Sequence, residues 1–283
     1  MINTLKDARV TLILATHSTA LLAGLAEIED VHVAFMKRKQ TDLVFKKITD
    51  IDRTILPMFG AHPLSNVFNQ APIFLVEGED DERIWQQAIR SSRGKISVFP
   101  CVINGNRNFL EFETEVNNII SSIYDNARGF SLRDRDDQRE FIDDIGHIIR
   151  MRLNCRAAEN LMLSDNVLSF FNTTWPTMKR RLDFWLKQNP SHYYYDYMRK
   201  FADDEYDRRN HDLKEIRNIL ANEISNKPWE VLVGKTIAKL ASNPSARDPY
   251  SLGDFLGEKV CTYILKLPTA LNVGTYHPLP NRD

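Results

Sequence analysis

Short apolar runs alternate with amphipathic stretches through most of the chain. Ile73-Phe74-Leu75-Val76 sets four apolar residues in a row, the pattern of a buried strand, and Glu77-Gly78 breaks it. An amphipathic helix follows from Arg83 to Arg90. Ile96 to Ile103 predicts a second buried strand whose end Pro100 weakens. A turn at Asn104–Asn108 leads into a helix from Phe109 to about Tyr124, with Leu110, Val116, Ile119, Ile120 and Ile123 roughly on one face. Gly129-Phe130-Ser131-Leu132 and His147 to Leu153 predict two further strands. Strand, helix, strand, helix, strand with short turns implies right-handed crossovers and a parallel sheet.

On either side the pattern changes. Val10 to Ala15 predicts a strand, Ala20 to Ile28 a helix, and Val31 to Met36 with Leu43 to Ile48 a hairpin. Pro57, Gly60 and Pro63 punctuate a hinge, so the boundary falls near residue 70, giving units 1–69 and 70–283. Thr174 to Lys187 interleaves basic and aromatic residues. An amphipathic helix with a wet basic face accounts for it, and a surface tracking a phosphate backbone is the other reading. His192 to Ile224 reads as long helices of an insertion or cap (about 170–226), with Asp207, Arg208 and Arg209 solvated. Trp229 to Ile237 reads as strand, Gly-Lys turn and helix, and Ser251 to Leu265 as a closing helix.

Composition narrows the class. The 283 residues are 43% hydrophobic and 27% charged, ordinary for a globular protein of one large or two modest domains. A formal charge of −1 advertises no global field for nucleic acid, so such a partner needs a local basic face or metal-bridged phosphates. Cys101, Cys155 and Cys261 are far apart, which argues against zinc and disulfides and fits a reducing cytoplasm. The sequence predicts no membrane span and no signal peptide.

Candidate chemistry sits at the strand ends. Glu77 and Asp81 flank the turn after the first strand, and Asp134 and Asp136 follow the third. Alternate residues of extended backbone share a face, so Asp134 and Asp136 are expected to point the same way. If the two strands are neighbours, the four carboxylates converge at the carboxyl edge, where open α/β sheets place ligands. Carboxylates so placed repel unless a hard divalent cation neutralises them, and Mg²⁺ suits such oxygen donors. The bland reading is two acidic surface turns.

Glu77-Gly78-Glu79-Asp80-Asp81 followed by Asp134-Arg135-Asp136 resembles the Toprim fold of topoisomerases, primases and certain nucleases. Arg156-Ala157-Ala158-Glu159-Asn160 resembles a segment that follows the Asp-x-Asp strand in Toprim nucleases tied to ABC-type ATPases. There the glutamate completes the metal site, which makes Glu159 a fifth candidate ligand; a glutamate favouring a helix dipole is the other reading. Related nucleases carry a basic residue near the metals, and Lys235 is the candidate here. Thr16-His17-Ser18 after a strand, with the closing hairpin, resembles the end of an ABC-type ATPase head, with His17 at the position that senses the γ-phosphate. No Gly-x-x-x-x-Gly-Lys-Ser/Thr occurs, so no ATP hydrolysis by this chain alone is expected.

Together these segments resemble the OLD (overcoming lysogenisation defect) family of ATPase–Toprim nucleases. The resemblance implies an α/β fold: a Toprim-like, mainly parallel sheet flanked by helices, a helical cap, and an N-terminal ATPase remnant. It implies an Mg²⁺- or Mn²⁺-dependent endonuclease acting in anti-phage defence, with nucleic acid and an ATPase subunit or half as partners, and room for a homo-oligomer. ATP enters only through that ATPase. The alternative function is a Toprim module that binds nucleic acid or a partner without cutting; a primase-like polymerase lacks a dedicated nucleotide-binding motif.

Overall fold

The computed structural model describes residues 11–15, 25, 28, 31–34, 42–47, 71–103, 109–123, 128–138 and 141–268. His17, the hinge at 50–69 and the turn at 104–108 lie outside the described residues, as does the expected helix at 20–28 apart from Leu25 and Ile28. Near the start, β1 (His32–Val33) pairs antiparallel with β2 (Lys46–Lys47), a shorter hairpin than the sequence suggests. Thr11–Ala15 is exposed and forms no strand. High β propensity is a preference for a pleated, half-buried surface, and among the described residues no neighbouring strand supplies one.

Four strands, β3 (Ile73–Val76), β4 (Phe99–Val102), β5 (Gly129–Arg133) and β6 (Ile148–Arg152), form one parallel sheet in the order β4-β3-β5-β6. Helix α1 (Glu79–Ser91) joins β3 to β4, and α2 (Phe109–Ile123) lies between β4 and β5. Period-two alternation sorts the side chains. Phe74, Val76, Phe130, Leu132, Ile149 and Met151 enter the larger core with Ile84 and Trp85 of α1. Ile73, Leu75, Cys101 and Ile148 face Val116 and Ile120 of α2. Both faces of β3 are covered, so its apolar run is continuous rather than alternating.

After β6 the chain is helical: a 3₁₀ turn (Ala158–Leu163), α3 (Asp165–Phe170), α4 (Trp175–Gln188), α5 (Tyr195–Asp203), α6 (Arg217–Ile224) and α7 (Trp229–Ser242). Helix α8 (Leu252–Leu256) and a π turn (Val260–Ile264) close it. The expected closing helix is thus two pieces, broken at Gly257, whose φ of 84° is left-handed.

Two other expectations are corrected. The segment expected as strand, turn and helix is the single helix α7, because Trp229, Leu232, Val233, Thr236, Ile237 and Leu240 are buried at helical spacing. Gly234 serves packing: a Cβ there would sit 2.6 Å from the Ile84 carbonyl of α1. The expected long helices between His192 and Ile224 are two short ones, α5 and α6, joined by a loop. In that loop Arg208 is not solvated and Arg209 is only partly so. Arg208 is buried, ion-paired to Asp165 at 2.5 Å and stacked on Trp175 and Tyr250. Arg209 pairs with Asp254. Among the described residues no helix is long and apolar enough to cross a membrane.

Candidate active site

The carboxyl edge of the sheet collects the acidic residues. β3 ends at Val76, and Glu77-Gly78 turns the chain straight into α1. Asp81, in the first turn of α1, accepts the Gly78 N–H at 3.1 Å, which fixes one of its oxygens over the turn. Gly78 has φ −134°, a value any residue adopts, and a Cβ there would meet only the Asp81 carboxylate, at 3.7 Å. The fold itself therefore does not require glycine at this position.

β5 ends at Arg133, and Asp134 leaves it toward the 3₁₀ turn, where its Oδ1 accepts the Ala158 N–H at 3.0 Å. The expectation that Asp134 and Asp136 share a strand face is corrected. The Arg135 and Asp136 N–H groups both donate to the Arg156 carbonyl, at 3.0 and 2.8 Å, and this pulls the chain into a turn. Asp136 has φ 49° and is exposed. Glu159 is half-buried in the 3₁₀ turn and faces Arg217 at 3.9 Å, which also reaches Asp80 at 3.6 Å. The neighbouring Asn160 is fully buried and structural: it accepts the Ala157 N–H and donates to the Arg208 and His211 carbonyls.

These carboxylates act on one another electrostatically. Burial pushes Asp81 up to about 7, the Gly78 hydrogen bond opposes this, and the charges of Glu77, Glu159 and Asp80 add to it. Asp134 is raised well above the usual carboxylate range by burial, then by Asp81, Glu77, Glu159 and Asp136. Glu77 is raised by burial and Asp136, against the pull of Arg133 and Arg152. Glu159 is raised chiefly by burial, and Arg217 draws it back. Negative charge held at this density favours a cation.

All five donors are carboxylate oxygens, which suit a hard divalent ion. Among the described residues, however, no three His, Cys, Asp or Glu side chains already stand close enough together to hold a metal.

Lys235 is not brought to the site. Glu230 meets Arg83 and Gly234 meets Ile84 and Gln87, so α7 runs along α1 and carries Lys235 away from the Asp81 end. Among the described residues, positive groups acting on the acidic edge include Arg133, Arg152, Arg217 and Lys214, none of which the sequence pattern singled out. The signal for the first two lay in the alternation Gly129-x-Ser131-x-Arg133 and Ile148-x-Arg150-x-Arg152. No family model matches the chain, and neither a curated protein nor a solved structure matches it.

Proposed function

We propose that the chain is the Toprim-like nuclease part of an OLD-type system, hydrolysing nucleic-acid phosphodiester bonds with Mg²⁺ or Mn²⁺. The observation that carries this reading is that Glu77, Asp81, Asp134, Asp136 and Glu159 come from three separate segments to one sheet edge, where burial and neighbouring carboxylates raise the pKa values of Glu77, Asp81 and Asp134, and burial raises that of Glu159. These five residues would hold the metal, which when bound supplies a polarised phosphate and a water of lowered pKa. Asp81 and Asp134 each have one oxygen fixed by a backbone N–H, so their orientation is set before any ligand arrives. Glu77 feels the charge of Asp136 on one hand and of Arg133 and Arg152 on the other, so it would serve both as a metal ligand and as a group that orients a water. Gly78 keeps the turn bare of side chain, which suits close approach of a substrate backbone. The Thr16-His17-Ser18 turn and the hairpin behind it extend the proposal to a companion ATPase.

The second reading, a module that binds nucleic acid without cutting, is favoured by one observation. No three of the described acidic side chains are yet gathered tightly enough to grip an ion.

One experiment separates the two. Purified protein is incubated with supercoiled plasmid and, separately, with total transfer RNA, with Mg²⁺ or Mn²⁺, beside Glu77→Ala. Cleavage that disappears in the variant supports the nuclease and names its substrate class. Equal cleavage by both proteins sinks the mechanism, and binding without cleavage moves the assignment to the second reading.

A further inference from the structure

We propose that Arg133 and Arg152 form the phosphate-gripping half of this site, an inference that rests on reading the carboxylate edge as the seat of a nucleic-acid phosphate. β5 and β6 run parallel with Arg133 directly opposite Arg152, and both strands end at these residues. By alternation Ser131 and Arg133, and Arg150 and Arg152, lie on the α2 side of the sheet, as Ile73 and Leu75 do. Glu77 is the next position of that parity on β3. The charges of Arg133 and Arg152 both act on it, and Asp136 acts on Arg152. Glu77 and Asp136 therefore interact both with acidic groups (Asp81 and Asp134 among them) and with basic ones.

The basic group is held from the α2 side. Glu113, fully buried on α2, accepts the Ser131 hydroxyl at 2.5 Å and Arg133 at 2.7 Å, and forms an ion pair with Arg150 at 3.0 Å. A single buried carboxylate thus meets two guanidinium groups, and Arg133 and Arg150 repel Arg152. Burying like charges is costly, and a fold in need of a counterion for Glu113 has one in Arg150. Arg133 and Arg152 stand at the carboxyl ends of neighbouring parallel strands, the edge where a ligand would sit. The Arg133 guanidinium lies 4.3 Å over the Phe109 ring and is anchored from behind by Glu113, so its fork is oriented in advance. A planar, permanently charged fork of this kind matches the oxygens of a phosphodiester. The site then has two poles, carboxylates that would hold a cation and arginines that would hold a phosphate.

The test is binding of labelled single-stranded and duplex DNA and RNA oligonucleotides by fluorescence anisotropy in EDTA, across a salt series. Arg133 also holds Glu113 and its loss endangers folding, so Arg152→Gln is the main variant, Arg152→Lys the conservative one, and thermal melts accompany both. Arg152→Gln should weaken binding about tenfold and flatten the salt dependence by about one phosphate, a slope change of roughly 0.7–0.9. Arg152→Lys should keep the slope and lose only part of the affinity. Glu77→Ala should bind at least as tightly as the native chain, since it removes a competing carboxylate. Unchanged affinity and slope in Arg152→Gln overturns the assignment, even if its melting temperature moves, because Arg152 is then only a counterion of Glu77 and Asp136. A native chain that binds none of the oligonucleotides also overturns it. A native chain that binds through Arg152 yet never cleaves sinks the nuclease reading and leaves the arginine assignment standing.

Discussion

The Asp134 carboxylate accepts the Ala158 N–H at 3.0 Å and so ties the end of β5 to the start of the 3₁₀ turn that carries Glu159. Two sequence segments that are 24 residues apart are thereby fixed at one point. The same carboxylate carries both jobs, anchoring a helical turn and contributing negative charge to the site. Asn keeps the acceptor and loses the charge, whereas Ala loses both. Asp134→Asn and Asp134→Ala are therefore both expected to lose metal-dependent cleavage. Chemical denaturation should find Asp134→Ala less stable than Asp134→Asn by about 1–2 kcal/mol, the cost of leaving a partly buried N–H without its acceptor. Equal stability of the two variants would show that the tie does not hold the turn.

The raised carboxylates fix the pH dependence of the metal-free protein. Asp81 titrates near 7 in the folded chain against an ordinary value of 3.8. Between those values the native state binds a proton that the unfolded state has released. Its contribution to stability is therefore fullest below pH ~4 and is lost as pH rises through about 7. Asp134, Glu77 and Glu159 shift in the same direction. In EDTA the melting temperature should fall between about pH 6 and pH 8, and Asp81→Asn should remove part of that fall while keeping the acceptor for Gly78. Divalent cation should restore the native melting temperature at the alkaline end and do little for the Asn variant. A native melting temperature that climbs over this interval would contradict the acidic cluster as described.

Gly78 separates fold from function at a single atom. Its backbone is extended and the space for a Cβ is open, so Gly78→Ala should fold, with a cost under about 1 kcal/mol from the poorer helix cap. Oligonucleotide binding should nonetheless weaken severalfold, because the added methyl stands where the substrate backbone would pass. An alanine variant with full binding and cleavage would make Gly78 an ordinary turn residue.

The sheet, its parallel order and the acidic edge were legible in the sequence because each depends on local pattern. The strand of β3 is an unbroken apolar run ending in Glu77-Gly78, and β5 ends one residue before Asp134. What was misread depends on distant partners. Val231-Leu232-Val233 looks like a strand in isolation, and only the contact of Gly234 with Ile84 explains why it is one turn of a helix. Asp136 leaves the strand geometry because the Arg156 carbonyl, 20 residues on, captures its N–H. Arg208 looks solvated until Asp165, Trp175 and Tyr250 are placed around it. Arg133 and Arg152 were visible as alternating polar positions, but their pairing needs the register of β5 against β6.

Glu113 tests whether the arginine layer is built as one unit. Its carboxylate is fully buried, and Arg133 and Arg150 converge on it from two strands. Glu113→Gln keeps the shape but leaves those guanidinium groups facing each other across a neutral amide in a poorly solvated layer. Removing one partner of a buried ion pair typically costs about 3–5 kcal/mol, because the remaining charge stays buried without compensation. Denaturant unfolding should show a loss of that order, with the slope against denaturant unchanged if the native state stays compact. Arg150→Met in the same background removes one surplus charge and should recover part of the loss, a coupling that a double-mutant cycle measures directly. If Glu113→Gln is neutral, the layer is solvated and the arginines are not oriented from behind. If it is destabilising and Arg150→Met rescues it, Glu113 is the anchor that aims Arg133 at the carboxyl edge.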